Sequence, residues 1–472
     1  MPEASEIQLT AEWIAAVVSG VLVSGRAEQR FAGVSIDTRT LGAGELYIAI
    51  RGERFDGAEF AEAAIAAGAA GVMVPRGRRG AARPPTAAPV VIEVGDTTAA
   101  LQALGHAVRI ESGTKVVAIT GSAGKTTTKE MTAELLASRY RVIRNRGNFN
   151  NHIGLPLSLI DLRQRPDIAV VELGMNHTGE ISVLVGLAEP DVRVWTNVGE
   201  AHLGFFASVD AIADAKAEIF ERATPATVLV ANADDERIAA RLPRFAGRVV
   251  TFGIDRDADV RATAVVDRGI DGTTARVSAG RETIELKTSL VGRGNLANLL
   301  AATAVALEFD IPLAAIAERA PTLRPAGRRG EVVRLARGVT IIDDSYNANP
   351  TATRGALDVL AGTAPAARRV AVLGEMLELG AHAVRLHEEV GRAAARSRLD
   401  LLIAVGGAPA EALAAAAVAA GMPRASVRHF AGSEDAADAA VSMIRPGDLV
   451  LVKGSRGVRT DRVVDRLKAE FA

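Results

Sequence analysis

The stretch "AITGSAGKTTTKEM", Ala118 to Met131, carries the clearest chemistry in the chain. Gly121, Gly124, Lys125 and Thr126 spell G-x-x-G-K-T, whereas the common phosphate-binding pattern G-x-x-x-x-G-K-[ST] would need a glycine where Ile119 stands. The shorter loop keeps what an anion requires. Gly121, Ser122, Ala123, Gly124 and Thr127 offer backbone N–H groups at a helix N-terminus. Lys125 can reach terminal phosphates, and the Thr126 hydroxyl can reach a Mg²⁺ ion. A chance turn between strand and helix is the competing reading. The agreement of strand, loop, lysine, hydroxyl and helix in one order argues against it.

Other polar residues sit just past apolar, β-branched runs. Glu172 follows "DIAVV"; Asn197 lies at the end of "VRVWTNV", and Glu200 and His202 follow it; Asp343 and Asp344 follow "VTII". Gly374 and Glu375 follow "RRVAVL", and Lys453 and Arg456 follow "DLVLV". Ligands of open parallel sheets bind beyond these strand ends. Glu172 and His202, with Thr126, can form a metal site of oxygens and one imidazole. Mg²⁺ prefers oxygen ligands, so the histidine hints at a second, less demanding site that tolerates Mn²⁺. Taken alone, either residue is more often a satisfied surface side chain; placed after a strand end facing a phosphate-type loop, the metal reading is the favoured one. Lys216 in "DAKAEIF" reads by default as a solvated helix lysine, and "GNFNNHIGLP" as a turn cluster.

The elements that must position these residues follow from periodicity. Val116 to Thr120 is a buried parallel strand, and a helix follows from Thr126 with Met131, Leu135 and Leu136 on one face. Up to about Gly113, "ELYIAI" and "PVVIEV" read as strands, "FAEAAIAAGAAGVMV" as helix, glycine stop and strand, and "TTAALQALGHAVR" as a helix beginning near Asp96. Arg261 to Leu290 alternates and is rich in Thr, Val and Gly, which predicts antiparallel hairpins. "LRPAGRRGE", Leu323 to Glu331, has the composition of a linker and a hinge. Beyond it, four more strands alternate with helical stretches, a second parallel α/β unit. The expected architecture is α/β in three domains: residues 1–113, 114–325 with a parallel sheet and a small antiparallel insertion, and 326–472 of Rossmann-like form.

Length and composition agree. The 472 residues suggest about three domains, and apolar residues make up 49% with aromatics at 4%. A net charge of −1 provides no field to draw nucleic acid. The basic stretch "RGRRGAARPP", Arg76 to Pro85, reads as a solvated loop. No cysteine is present, which excludes disulfides, thiolate metal sites and a cysteinyl thioester. The apolar run Trp13 to Val23 follows acidic residues, so it reads as a short amphipathic helix capped by Thr10, not a signal peptide. No stretch approaches a membrane span. A soluble, cytoplasmic protein is expected, without nucleic-acid partner and monomeric.

Ten segments in order resemble the Mur ligases, the ATP-dependent amide ligases of peptidoglycan precursor synthesis. They are "TGSAGKTTTKEM", "RGNFNNHIGLPLSL", "VVELGMNHTGEI", "TNVGEAHLGFF", "DAKAEIF", "GRGNLANLLAA", "RRGE", "IIDDSYNANP", "VLGEMLELG" and "VLVKGSRG". The resemblance spans roughly residues 20–465. "DDSYNANP" and "GERFDGAEF" are most similar to the member that adds D-alanyl-D-alanine to UDP-N-acetylmuramoyl-tripeptide. The Asp-Asn-Pro-Arg tetrad of the diaminopimelate-adding member is missing from the sequence. The nearest rivals are another Mur-type ligase, the tripeptide-forming one, and a folylpolyglutamate-synthetase-like ligase. A phosphate-loop nucleotide switch is the rival of a different class.

The resemblance implies roles. Gly121 to Thr127 would hold ATP with Lys125 on the β/γ-phosphates. Thr126, Glu172 and His202 would bind magnesium, and Lys216 aligns with a lysine carried as a carbamate. Asn295 and Asn298 would lie near the adenine, and Arg329 and Asp344 would reach toward the nucleotide. Ser35, Asp37 and Arg39 match the uridine-diphosphate region. Asn150, Asn151, Asn347, Asn349 and Lys453 fall on the substrate side. Ala58 and Gly294 stand where the family often has histidine.

Overall fold

The computed structural model describes residues 5–77, 89–145, 147–364 and 367–472. Beyond Gly77, the basic stretch that ends at Pro85 lies outside the described residues. The chain forms two compact units, residues 1–118 with 140–191, and residues 119–139 with 192–472.

In the first unit, Thr10 caps the helix Ala11–Val17 by accepting the N–H of Trp13 at 3.3 Å. A five-stranded sheet follows in the order Val21–Ser24, Val90–Val94, Gly71–Pro75, Leu46–Ile48, Val34–Ser35. Its first pair is antiparallel and the others are parallel. The helix Thr97–Ser112 starts where expected: Asp96 Oδ1 accepts the N–H of Ala99 at 2.8 Å. It stops at Gly113, whose φ of 68° is the left-handed conformation that favours glycine. The strands Val142–Arg144 and Ile168–Glu172 of this unit pair in parallel.

In the second unit, Val192–Trp195, Val228–Asn232 and Arg248–Gly253 are parallel neighbours. Val260–Asp267, Thr273–Ala279 and Glu282–Thr288 then form the expected antiparallel hairpins. A final sheet has the order Glu331–Arg334, Thr340–Asp344, Asp448–Lys453, Arg368–Gly374, Leu401–Val405, Val427–Phe430. Only its first pair is antiparallel. The continuous apolar runs "LVLV" and "LLIAV" are buried throughout, as strands covered on both faces must be. Each Val, Leu or Ile side chain among them contributes about 1.5–3 kcal/mol by leaving water.

The linker reading also has a structural counterpart. No helix or strand occupies residues 323–330. Arg328 and Gly330 there adopt positive φ, 62° and 77°. Arg328 pairs with Asp461 at 2.5 Å and Asp465 at 3.2 Å, which ties the end of the linker to the lobe that follows. No helix among the described residues is long and apolar enough to cross a membrane.

Candidate active site

The phosphate-type loop ends the strand Lys115–Thr120 and opens the helix Lys125–Leu136. Two of its glycines are obligatory. Gly121 has φ +152°, and a Cβ there would lie 1.9 Å from Thr196 Oγ1. Gly124 has φ +81°, and a Cβ would lie 2.2 Å from Asn298 Oδ1. Only a residue without a side chain permits this conformation and this approach.

Residues just past the strand Val192–Trp195 hold the loop. The Asn197 side chain grips Ala123 twice: Oδ1 accepts its N–H at 2.8 Å and Nδ2 donates to its carbonyl at 3.0 Å. Asn197 also accepts the N–H of Ser122 through its backbone oxygen at 3.0 Å. Thr196 Oγ1 donates to the Ala123 carbonyl at 2.7 Å. Ser122 Oγ accepts the N–H of Gly199 at 2.9 Å. Lys125 curls back to donate to the Gly121 carbonyl at 2.8 Å. The loop is therefore preformed by its neighbours, which lowers the ordering cost of binding an anion. Thr196 is missing from the sequence reading of the site, and Asn197 was read there only as a strand-end polar residue, not as a holder of the loop. The signal was a polar "TN" directly after a buried strand.

Asn295 and Asn298 form a linked pair on the helix Gly292–Glu308. Asn298 Nδ2 donates to Asn295 Oδ1 at 3.3 Å, and Asn295 Nδ2 donates to the Val291 carbonyl at 2.9 Å. Asn298 thus stands against Gly124 as well as near Asn295. Lys216, on the helix Val209–Ala217, is 1% exposed. The default of a solvated helix lysine is overturned: its side chain faces the interior because the helix packs that face inward. A buried ammonium has to be paired or neutralised.

The last lobe presents two clusters at its strand ends. Lys453, 3% exposed, donates to Asp344 Oδ2 at 2.6 Å and to the Asn347 carbonyl at 3.1 Å. Arg329 lies over the Tyr346 ring at 4.1 Å from its centroid, with Arg456 at 5.7 Å, so two guanidinium groups share one ring. Asp343 is fully buried; burial pushes its carboxyl above the usual carboxylate range, and it accepts from Ser345 Oγ at 2.6 Å. It shapes the turn that carries Tyr346. Asn349 caps the helix Pro350–Gly362 by accepting the N–H of Ala352 at 2.8 Å.

His202 meets a residue from this lobe. Oε2 of Glu378 lies 2.6 Å from His202 Nδ1, close enough for an ion pair although the ring N–H does not point along that line. His202, and Lys125 of the loop, hold the Glu378 carboxyl below its ordinary range against the effect of burial.

The remaining predicted residues belong to the first unit. Glu172 is 3% exposed; it accepts from Asn150 Nδ2 at 2.8 Å, and its N–H donates to Asn145 Oδ1 at 3.1 Å. Asn151 Oδ1 accepts the N–H of Gly154 at 2.8 Å at a helix start. Ser35, Asp37 and Arg39 form one turn. Arg39 binds Asp37 through Nε at 2.9 Å and Nη2 at 2.6 Å, and Ser35 Oγ donates to the Asp37 carbonyl at 3.1 Å. The Arg39 side chain and then its backbone N–H pull the Asp37 carboxyl down to about 2.

Among the described residues, no three or more His, Cys, Asp or Glu side chains could hold a metal by themselves. Mg²⁺ is ordinarily held by one or two protein oxygens plus substrate phosphates, not by a dedicated cage.

Comparison with known proteins finds the Mur ligase family. A family model described as the Mur ligase middle domain matches residues 119–306, one described as the glutamate ligase domain of Mur ligases matches 328–456, and one described as the catalytic domain of the Mur ligase family matches 30–109. The UDP-N-acetylmuramoyl-tripeptide--D-alanyl-D-alanine ligase of Bacillus subtilis is 35% identical, across 98% of this chain and 98% of its own length. MurF from Acinetobacter baumannii superposes with a TM-score of 0.88 at 30% identity, covering 99% of this chain and 100% of its own. MurF ligase from Thermotoga maritima in complex with ADP gives a TM-score of 0.79 at 28% identity, over 93% and 97% of the two chains.

Proposed function

The chain belongs to the Mur ligase family, and from that premise we propose that it joins D-alanyl-D-alanine to UDP-N-acetylmuramoyl-tripeptide with ATP. The products are the pentapeptide precursor of peptidoglycan, ADP and phosphate. The observation that carries this reading is end-to-end likeness to ligases of that name, the last lobe included.

The chemistry follows from what a carboxylate lacks. Its oxygen is a poor leaving group, so the γ-phosphoryl group of ATP passes to it first, giving an acyl phosphate and ADP. The amine of the dipeptide attacks the acyl carbon, the C–N bond forms, the C–O bond breaks and phosphate leaves. Lys125 and the backbone N–H groups of Gly121 to Thr127 stabilise charge on the transferring phosphoryl. Asn295, Asn298, Arg329 and Asp344 hold the nucleotide. Ser35, Asp37 and Arg39 take the uridine diphosphate, and Asn150, Asn151, Asn347, Asn349 and Lys453 serve the substrates. The division of labour runs 1–113 for the uridine substrate, 114–325 for ATP, and 326–472 for the dipeptide and closure.

Mg²⁺, with Mn²⁺ able to substitute, accompanies the nucleotide and neutralises phosphate charge. Thr126 and Glu172 supply hard oxygens toward it, and His202 an imidazole. Lys216, buried on its helix, is carried as a carbamate, formed when its neutral amine adds CO₂ and loses a proton. In Lys216→Ala, acetate restores part of the activity if this holds; rescue by a small amine alone defeats it. The substrates place the enzyme in the cytoplasm, and it acts as a monomer.

The direct test supplies ATP, Mg²⁺ and D-Ala-D-Ala with lysine- or diaminopimelate-containing muramoyl tripeptide, the tripeptide carboxylate bearing ¹⁸O. One label is expected in the released phosphate. AMP as product, or phosphate free of label, overturns the acyl-phosphate route.

A further inference from the structure

Glu378 is held as if its placement mattered. It lies in "EMLELG", after the strand Arg368–Gly374, and its own lobe anchors the segment at several points. The N–H of Met376 donates to His387 Nε2 at 2.9 Å, and that of Leu377 to Ser455 Oγ at 2.9 Å. His387 is wholly buried and donates from Nδ1 to the Ala383 carbonyl at 2.7 Å, so it cannot turn away. The segment then meets residues 199–206 across a glycine contact. The N–H of Gly204 donates to the Glu378 carbonyl at 2.7 Å. A Cβ on Gly204 would stand 2.8 Å from the Gly380 nitrogen, and one on Gly380 would stand 2.8 Å from the Gly204 Cα. At the same junction, Arg354 reaches Glu200 Oε1 at 3.2 Å.

Both partners carry strain. His202 has φ 63° and Glu378 φ 65°, left-handed values that residues with a Cβ hold only when their surroundings impose them. Stability alone does not explain the pair. The Glu378 side chain is 44% exposed, and an ion pair so accessible contributes about 0–1 kcal/mol. A carboxylate 2.6 Å from Nδ1 does, however, favour a proton on that nitrogen and draw the ring toward the small turn that aligns its N–H, which leaves the other nitrogen for a ligand.

We propose that Glu378 is a positioning residue that orients the His202 imidazole, and does so only while the 376–380 segment is seated against residues 199–206. The proposal rests on the role given to His202 above. It makes readiness of the imidazole conditional on docking of the last lobe, which links dipeptide-site closure to the nucleotide loop.

Two measurements test it. In steady-state kinetics, Glu378→Ala lowers kcat about 10–100-fold with KM values little changed. Glu378→Gln, which keeps an acceptor, recovers most of the loss. Glu378→Ala adds nothing further in a His202→Ala background, since it acts through that ring. A merely structural Glu378 would add its loss to that of His202→Ala and would lower thermal stability. Independently of activity, long-range ¹H–¹⁵N spectra of histidine-labelled enzyme at pH 8.5 report the ring's tautomer, with the His202 signal assigned by its loss in His202→Ala. A single Nδ1-protonated form is expected in the unmodified chain and a mixture in both Glu378→Ala and Gly380→Ala. Full activity in Glu378→Ala with a crippled His202→Ala, or an unchanged tautomer in Glu378→Ala, overturns the proposal. Full activity in His202→Ala overturns instead the role of His202 itself.

Discussion

The Gly121–Thr127 loop and the Ser35–Asp37–Arg39 turn are both polar, both at strand ends, and built in opposite ways. The loop is held from outside: Thr196, Asn197 and Asn298 press on it, and two of its positions have no room for a Cβ. The turn is held from within. Arg39 closes on Asp37 two residues away, and the Arg39 side chain is 85% exposed. A site that must hold a polyanion still during group transfer needs a rigid surround, because a displacement near 1 Å can cost about 10²-fold in rate. A site that only has to recognise a ligand can exchange an internal ion pair for that ligand.

The sharpest way to break this contrast is Gly121→Ala. Its Cβ has no space beside Thr196, so ligation is expected to fall by roughly 10²-fold or more; activity within a few-fold of normal would mean the loop is not rigid. Lys125→Ala follows, with a loss of about 10²–10³-fold in kcat and a folded protein by circular dichroism. Asn197→Ala leaves the Ala123 amide and carbonyl without their partner, which should lower urea stability by about 1–3 kcal/mol and weaken ATP binding. Arg39→Ala is expected to change stability by no more than about 0.5 kcal/mol while raising KM for the muramoyl tripeptide alone.

The pH behaviour of the turn gives the smallest effect. With Asp37 held at about 2 in the folded chain, the folded state binds its proton later than the unfolded one, whose value is near 3.9. The stabilising share of this pair is complete above that unfolded value and is lost as pH falls through about 2. Because the pair is exposed, the share is small. Carboxyl NMR should find Asp37 near 2, and Arg39→Ala should return it toward the ordinary range; an unmoved Asp37 would assign the shift to another group.

Much of the fold was legible because its signals are local. The Thr10 and Asp96 caps and the stop at Gly113 each depend on a few adjacent residues. So do the buried parallel strands and the hairpins of 260–288. The phosphate-type loop was legible for the same reason: its donors, lysine and hydroxyl are consecutive. The Ser35–Asp37–Arg39 turn was readable as a cluster because its three members lie within five residues.

The sequence by itself determined the layers, the loop and the family, since periodicity, glycine placement and short motifs are properties of neighbours along the chain. Tertiary structure alone decided which polar groups hold which. Asn197 clasps Ala123, Asn150 engages Glu172, and Lys216 turns inward from a helix whose pattern suited a solvated lysine. The meeting of Glu378 with His202 belongs to the same class. These partners lie far apart in the chain. Hydrogen-bond direction and close packing act over a few ångströms in space, so no spacing along the sequence encodes them.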